Sequence, residues 1–216
     1  MEELSSSRAE PSRTIHHGDA LVWLADQKGC PNIITGIPDI NEVNLELADY
    51  LAFFDRAAGL IFDRLDPNGY GIFLQTDRKI NKTWISKSAR LITLGERHGF
   101  KLCWHKIILN REAGATDLFR PTYSHMLCFS VHGTSGAATP DVIPVSPRSY
   151  NNASPLAAVV QAVTFVKRYT KAEKIIIDPF VGQGTIVAVA NHYGLNAVGI
   201  DINPDQVALA RVASAY

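Results

Sequence analysis

The sequence predicts an α/β fold with a largely parallel β-sheet. Strand patterns and helix patterns alternate along the whole chain, as they do in proteins built around a parallel sheet. The 216 residues are 46% hydrophobic, which is enough for one packed core. A third observation is the run over residues 175–211, where two apolar strands are joined by a glycine-containing turn and a helix. Such a unit is typical of ligand-binding α/β proteins.

The first half of the chain is predicted to alternate between three strands and three helices. The strands cover residues 13–17, 32–35 and 69–75. A helix begins near Ala20, a longer one covers residues 44–65, and an amphipathic helix over residues 82–98 ends at Gly99, a usual stop signal. The apolar residues at helical spacing in the long helix are Leu45, Tyr50, Leu51, Phe54, Ala58 and Ile61.

The second half is predicted to add four strands, which brings the total to seven. Two β-rich runs cover residues 100–109 and 123–131, and a loop rich in Gly, Ser and Pro follows over residues 133–152. Ser154 then starts a helix with Pro155 at its first position. The last two strands cover residues 175–177 and 196–200, on either side of the helix that follows the glycine turn.

Composition limits the classes of protein that remain. Lys and Arg together number 21, as do Asp and Glu, so any contact with nucleic acid must come from a local patch. Cys30, Cys103 and Cys128 lack metal-site spacing, which predicts reduced thiols in an intracellular protein, cytoplasmic or nuclear, without a bound metal. No apolar run approaches the ~20 residues of a membrane span. Residues 1–12 are polar and are predicted to be a disordered tail.

The run over residues 175–211 has the features of a nucleotide-type site. Its first strand ends in Asp178, the turn contains Gly182 and Gly184, and the second strand stops at Asp201. The glycines allow close approach of a ligand, and the helix start offers free N–H groups to an anionic group. An acid at the end of the second strand is placed to bind ribose hydroxyls. The third glycine of the dinucleotide fingerprint is missing, which points away from NAD and towards S-adenosylmethionine.

This stretch resembles the cofactor-binding motif of the amino-methyltransferases, which include the DNA adenine-N6 and cytosine-N4 methylases. The resemblance implies that Asp178 and Phe180 flank the methionine and adenosine parts of S-adenosylmethionine, that Gly182 and Gly184 form the loop, and that Asp201 binds the ribose. The Gly18-Asp19 pair resembles the family segment whose acid approaches the adenine. The remaining expected cofactor contacts are Ser154, Thr185 and Asn203.

The resemblance also implies a fold. The cofactor motif lies near the C-terminus, as in the family class whose catalytic half precedes its cofactor half. We therefore expect a Rossmann-like seven-stranded sheet, mostly parallel with one antiparallel strand, in circularly permuted order. One domain over residues 13–216 would contain a catalytic half (13–132), a linker loop (133–152) and a cofactor-binding half (153–216).

The catalytic position departs from the family pattern. The family places Asp, Asn or Ser before Pro-Pro and an aromatic residue, whereas this chain has Gly36, Ile37, Pro38 and Asp39. The Gly36 and Ile37 carbonyls remain candidate acceptors for substrate hydrogens, and Pro38 can shape the turn. Asp39 is a candidate acceptor or general base. It also begins a capping-box pattern before the long helix, so two roles are open.

Basic residues concentrate in the catalytic half, which bears on the substrate. Six lie between Asp77 and Arg97, beside Trp84. The pattern predicts phosphate contact with aromatic stacking, and a solvated helix face is the alternative. The expected substrate contacts are Asp77, Lys106, Arg111, Arg120 and Tyr123, and His125 is kept as a further candidate.

The predicted function is transfer of a methyl group from S-adenosylmethionine to a nitrogen of nucleic acid. The loop over residues 133–152 is too short for a target-recognition domain, which favours RNA above DNA. Two alternatives stay open: a small-molecule methyltransferase that positions its substrate with Asp39, Asp77 and Arg120, and an inactive cofactor-binding scaffold. A homodimer is compatible with so small a catalytic surface, although no residue identifies one.

Overall fold

A computed structural model describes residues 10–134 and 139–215. Its strands are β1 (Arg13–His17), β2 (Ile33–Thr35), β3 (Gly71–Gln75), β4 (Arg78–Ile80), β5 (Thr83–Ile85), β6 (Lys101–Leu109), β7 (Tyr123–Ser130), β8 (Val142–Ile143), β9 (Ile175–Asp178) and β10 (Asn196–Asp201). Its helices are α1 (Ala20–Asp26), α2 (Ile40–Val43), α3 (Leu47–Arg64), α4 (Lys87–Arg97), α5 (Leu156–Tyr169), α6 (Thr185–His192) and α7 (Pro204–Val212).

Eight strands form one sheet in the order β1-β10-β9-β2-β3-β7-β6-β8. β7 pairs antiparallel with both β3 and β6, and the other pairings in the sheet are parallel. The first strand pairs with the last, because residues of β1 lie in register with β10 from Arg13 opposite Ala197 to His17 opposite Asp201. The predicted permuted α/β fold with one antiparallel strand is therefore confirmed.

Helices cover both faces of the sheet and bury two apolar clusters. α1, α3 and α4 pack on one face, and α5, α6 and α7 pack on the other. In α3 the predicted apolar stripe is buried at Tyr50, Phe54, Ala58 and Ile61, whereas Leu45 is 39% exposed. Among the helices of the described residues, none combines the length and apolar character needed to cross a bilayer.

Two predicted helices begin later than expected. Residues 83–85 form β5, which pairs with β4 in a separate hairpin, and α4 begins only at Lys87, where Asp77 accepts hydrogen bonds from the Lys87 and Ser88 N–H groups. The predicted helix over residues 44–65 begins only at Leu47, because Asn44 adopts a left-handed backbone (φ 51°) that ends a short preceding helix, α2.

The predicted tail and linker contain ordered residues. Residues 1–9 of the predicted tail lie outside the described residues, but the Ser12 N–H donates to Asn196 Oδ1 (2.9 Å). Within the predicted linker, β8 adds an eighth strand to the seven that were expected. The division into catalytic half, linker and cofactor half stays a prediction.

Candidate functional site

Two adjoining cavities open at the carboxyl ends of the parallel strands. The larger, of about 570 Å³, is lined by four carboxylates and, among the described residues, by no Lys, Arg or His; we call it the acidic cavity. The smaller, of about 380 Å³, is lined by five cations and three carboxylates; we call it the basic cavity. The carboxylates of the acidic cavity are Asp19, Glu42, Asp178 and Asp201. The cations of the basic cavity are Arg78, Lys87, Arg111, Arg120 and Arg148.

The glycine turn is held against the end of β10 by Asp201. Asp201 Oδ2 accepts a hydrogen bond from the Gly182 N–H (2.9 Å), and its Oδ1 accepts one from the Asn203 N–H (2.8 Å). The Gln183 N–H donates to the Tyr150 hydroxyl (3.4 Å). The Gly182 and Gln183 N–H groups are therefore already bonded to protein oxygens, and the expectation that N–H groups at the start of α6 face an anionic group stays a prediction.

The two glycines of the turn have different roles. Gly182 (φ 52°) lines the acidic cavity, and a Cβ there would lie 2.4 Å from the Tyr150 hydroxyl oxygen. Gly184 (φ 90°) precedes α6 and is not among the residues that line the cavity. A Cβ at Gly184 would lie 2.8 Å from Ala210 Cα, so this glycine permits close packing of the turn on α7.

Asp178 is a buried carboxyl group at the wall of the acidic cavity. It accepts hydrogen bonds from Thr35 Oγ1 (2.7 Å) and from the Phe180 N–H (3.2 Å). Burial, helped by the nearby charge of Asp201, raises the pKa of Asp178 to about 7 despite these two bonds. Because no basic side chain lines this cavity among the described residues, a cationic ligand would be the partner that ionised Asp178 lacks.

The other predicted cofactor residues surround the same cavity. Phe180 meets the Phe53 ring edge-on, with centroids 6.3 Å apart, and both rings form an apolar wall. Asp19 caps α1 by accepting from the Leu21 N–H (2.7 Å), and Asn203 caps α7. The predicted residues that line the acidic cavity are Asp19, Ser154, Asp178, Phe180, Gly182, Thr185, Asp201 and Asn203. Sequence reasoning missed Glu42, Phe53, Tyr150, Asn152 and Gln206.

The cavities meet at the segment after β2. Gly36 lines both, and a Cβ there would lie 2.9 Å from the Leu74 carbonyl oxygen. The Ile37 carbonyl accepts from Gln75 Nε2 (3.0 Å), while the Ile37 N–H donates to Gln75 Oε1 (3.0 Å). The Ile37 carbonyl was expected to accept substrate hydrogens, but it already has a donor in Gln75. Pro38 lines the acidic cavity, and its carbonyl accepts from the Tyr50 hydroxyl (3.1 Å).

Asp39 both caps a helix and lines the basic cavity. Its side chain and that of Glu42 form the expected capping box at the start of α2. Its two carboxylate oxygens also lie 3.4 Å from Lys87 Nζ and 3.4 Å from Arg78 Nη1. Capping therefore does not exclude a role towards a ligand.

Lys87 is a residue of the basic cavity that the sequence reasoning did not single out. Its side chain is 1% exposed and lines the basic cavity, with Nζ 5.9 Å from the centre of the Tyr50 ring. Burial lowers the pKa of Lys87, and the neighbouring Asp39 carboxylate partly offsets that effect. In the sequence this lysine was one of a basic run, and no local pattern marked it as the buried member.

Two of the five predicted substrate contacts line the basic cavity. They are Arg111, which pairs with Asp117 (3.0 Å), and Arg120. Lys106 does not, because its Nζ is directed at the carbonyls of Thr139 and Pro140 and at Asp141. Lys106 thereby anchors the segment before β8.

Asp77 and Tyr123 also lie outside the basic cavity's lining. Asp77 is 2% exposed and accepts from the Trp84 indole N–H (3.0 Å) as well as from two N–H groups at the start of α4. Burial alone would raise the pKa of Asp77, but the nearby His125 ring and the hydrogen bonds from Ser88 and Trp84 hold that pKa well below its usual range. Tyr123 stacks on Trp84, with ring centroids 6.4 Å apart.

His125 is buried and lies between an exposed histidine, His105, and the buried Asp77. Its Nδ1 lies 2.8 Å from His105 Nε2, and its Nε2 lies 3.4 Å from Asp77 Oδ2. His125 lines neither cavity.

Comparisons of sequence agree with the predicted resemblance. A family model described as DNA methylase, for N6/N4 methyltransferases, matches residues 159–212. The Type II methyltransferase M.MjaII of Methanocaldococcus jannaschii is 44% identical to this chain over 48 residues. That match covers 22% of this chain and 9% of the relative, so the chain spans only a small part of that protein.

Solved structures of similar fold cover nearly the whole chain. TTHA0409 of Thermus thermophilus, described as a DNA modification methylase and solved with S-adenosyl-L-methionine, has a TM-score of 0.67 at 20% identity over 92% of each chain. The cytosine-N4-specific PvuII DNA methyltransferase has a TM-score of 0.70 at 16% identity, covering 94% of this chain and 88% of its own. The M1.HpyAVI complex with its cofactor has a TM-score of 0.64 at 16% identity, over 92% and 98% of the two chains.

These comparisons confirm the predicted fold and the predicted resemblance to the amino-methyltransferases. They support a methyltransferase as the class of enzyme and S-adenosylmethionine as its cofactor. The family model, TTHA0409 and the PvuII enzyme are named for DNA, and nothing in these comparisons favours RNA or a homodimer.

Proposed function

We propose that this chain, which shares the fold of the N6/N4 DNA methylases and matches their family model over residues 159–212, transfers a methyl group from S-adenosylmethionine to a nitrogen of DNA. The observation that carries the proposal is the division of charge between two cavities that meet at Gly36. The acidic cavity suits a cationic cofactor, and the basic cavity suits an anionic polymer. Transfer would take place where they meet.

The residues of the acidic cavity fit S-adenosylmethionine better than a dinucleotide. Four carboxylates and no basic side chain among the described lining residues would repel a pyrophosphate and attract the sulfonium and ammonium groups. Asp178, Asp201 and Asp19 would hold the cofactor's polar groups, and Phe180 would cover an apolar part. When bound, the cofactor supplies an electrophilic methyl group on a positively charged sulfur.

The basic cavity would orient the nitrogen that is methylated. A nitrogen that gains a methyl group must lose a proton, so an acceptor near Gly36 is needed. Asp39 is the carboxylate that lines the basic cavity three residues after Gly36. Its contacts with Arg78 and Lys87 fix its position, while the Gly36 backbone lets the substrate approach the cofactor.

Two observations bear on whether the substrate is a polymer or a small molecule. The preference for RNA was argued from the short loop alone, whereas the matching family model and the PvuII enzyme are named for DNA, so DNA is the first polymer to test. A small anionic substrate is the second candidate, because no aromatic side chain lines the basic cavity among the described residues and a stacked base would lack its usual platform there.

The proposal is tested by incubating the protein with labelled S-adenosylmethionine and, in parallel, genomic DNA and total RNA from cells that lack this gene. Label in DNA supports the proposal, and digestion then identifies the modified base. Label in RNA alone would overturn the choice of polymer. Label in neither, from a protein that binds the cofactor, would favour a small-molecule substrate or an inactive scaffold.

Asp201→Ala is expected to weaken S-adenosylmethionine binding by about tenfold or more. The substitution removes charge-assisted hydrogen bonds, each worth roughly 1.5–3 kcal/mol, and it frees the Gly182 N–H that Asp201 holds. Calorimetric titration measures the effect, and Asp205→Ala, which removes an exposed acid from the first turn of α7, is the matched control. Unchanged affinity in Asp201→Ala would show that the ribose site lies elsewhere.

Asp39→Asn is expected to leave cofactor affinity unchanged and to lower turnover by about a hundredfold. Asparagine caps helices as well as aspartate does, so α2 keeps its start. The lost charge removes the proton acceptor and the partner of Arg78 and Lys87. Steady-state methyl transfer measures the loss, with Asp26→Asn at the exposed end of α1 as control. A normal rate in the Asp39 variant would limit this residue to capping.

A further inference from the structure

The loop between β6 and β7 carries two adjacent apolar side chains that are almost fully in solvent. Leu118 is 86% exposed and Phe119 is 78% exposed. A single exposed apolar residue is ordinary, but two large neighbours at a loop tip form a patch of the kind that marks an interaction site. Trp84, 42% exposed on β5, adds an aromatic ring that stacks on Tyr123, the first residue after this loop.

Hydrogen bonds hold the loop in shape. Asp117 Oδ1 accepts from the Phe119 N–H (2.8 Å) and from the Arg120 N–H (2.9 Å). The other oxygen of Asp117 pairs with Arg111 (3.0 Å), and its carbonyl accepts from Lys79 Nζ (3.0 Å). Leu118 and Phe119 therefore lie on a turn that the hydrogen bonds of Asp117 hold in place. Lys79 joins the hairpin β4–β5 to this turn.

The tip lies next to residues that line the basic cavity, and it is flanked by cations and by Asp117, the acid that pairs with Arg111. Asp117, Arg120 and Pro121, the residues on either side of Leu118 and Phe119, line that cavity. Lys79, Arg111 and Arg120 provide positive charge around the tip. A membrane or protein partner would not require a cavity beside the apolar tip. A nucleic-acid duplex would require one, because an enzyme that modifies a base must take that base out of the stack and receive it in a pocket.

We propose that Leu118 and Phe119 form a wedge that enters the duplex beside the target nucleotide and fills the space it leaves. This inference rests on the proposed action on nucleic acid. Apolar side chains inserted between base steps unstack them, and the flanking cations would bind phosphates on both sides of the step. Arg120, next to the wedge, would guide the displaced nucleotide into the basic cavity.

The test compares the double variant Leu118→Ala, Phe119→Ala with Val212→Ala, which shortens an apolar residue that is 79% exposed and lines neither cavity. We expect methylation of duplex DNA to fall by about tenfold or more in the double variant, and methylation of the same sequence as a single strand to fall by less than about threefold, because a single strand needs no unstacking. A conservative variant, Phe119→Leu, should keep most of the duplex activity. Equal losses on both substrates, or no loss on the duplex, would overturn the wedge.

A second readout separates the wedge from the proposed function. In duplexes that carry 2-aminopurine in place of adenine, wild-type protein should raise the fluorescence of the unstacked base, and the double variant should bind without that rise. If wild-type protein transfers no methyl group but still raises the fluorescence, the proposed function fails and the wedge stands. Equal fluorescence with both proteins, or no binding of either to the duplex, would overturn the wedge even if methyl transfer is found.

Discussion

Replacing Asp178 with asparagine is expected to stabilise the ligand-free protein at neutral and higher pH and to weaken S-adenosylmethionine binding by about a hundredfold. The introduced asparagine can still accept from Thr35 and from the Phe180 N–H, so the hydrogen bonds of the buried site persist. The variant lacks only the negative charge, which is unfavourable in the empty site and favourable beside a cationic ligand. Stability and affinity should therefore change in opposite directions.

The pH dependence follows from the raised pKa of Asp178. In the unfolded chain an Asp carboxyl loses its proton near pH ~3.9, whereas burial raises the pKa of Asp178 to about 7 in the folded protein. Between these values the folded state holds a proton that the unfolded state has released, so the free energy of unfolding falls as pH rises and becomes level above about pH 7. The difference between these two pKa values corresponds to about 4 kcal/mol. The Asp178→Asn variant should lack this contribution.

The measurements are denaturant unfolding and calorimetric titration of the cofactor at about pH 6 and about pH 8. Wild-type affinity should rise between the two, because the cofactor binds the ionised carboxylate, and Asp178→Asn should bind weakly at both. Asp205→Asn, on the surface of α7, controls for loss of one negative charge. A variant that binds the cofactor as tightly as wild type would remove Asp178 from the cofactor site.

Local sequence patterns were sufficient to predict the sheet and most of the residues that line the acidic cavity. Each strand of the cofactor half is a short apolar run, and the residues at its carboxyl end necessarily meet at one edge of a parallel sheet. For that reason Asp178, Phe180 and Asp201 could be placed around one cavity from the sequence. Gly184 was assigned to the same cavity on the same pattern, but its contact is with Ala210, a residue that no local pattern relates to it.

The basic cavity depended on contacts between segments that are distant in sequence. The hairpin β4–β5 turns through Asn81 and Lys82, both with left-handed backbones, and its return to Asp77 buries Lys87. Helical periodicity over residues 82–98 gave no sign of that hairpin. Similarly, Lys106 looked like a free cation in the sequence, and only the fold directs its ammonium group to the carbonyls before β8.

Lys87→Met is expected to lower methyl transfer by about a hundredfold while cofactor affinity and folding are preserved. Methionine is apolar and fills nearly the same space as lysine. Removing a buried charge usually costs little stability when its ion-pair partner keeps a second partner of opposite charge. Asp39 keeps Arg78 at 3.4 Å and is 25% exposed, so no carboxylate is left buried without a cation. The substitution therefore removes the one lysine of the basic cavity, among its described lining residues, without an expected loss of structure.

The pH profile of the wild-type protein shows what Lys87 does. If its ammonium group binds the substrate, activity should fall at a pH below the ordinary lysine value near ~10.4, because burial lowers the pKa of Lys87. If the neutral amine accepts the substrate's proton, activity should rise over the same range. Whichever change of activity with pH is found, it should be absent from the residual activity of Lys87→Met. The control variant Lys28→Met, at an exposed lysine after α1, should show the same change as wild type. Full activity in Lys87→Met, with an unchanged pH profile, would limit Lys87 to a structural contact with Asp39. The contact with Arg78 would then be the one that fixes Asp39 beside Gly36.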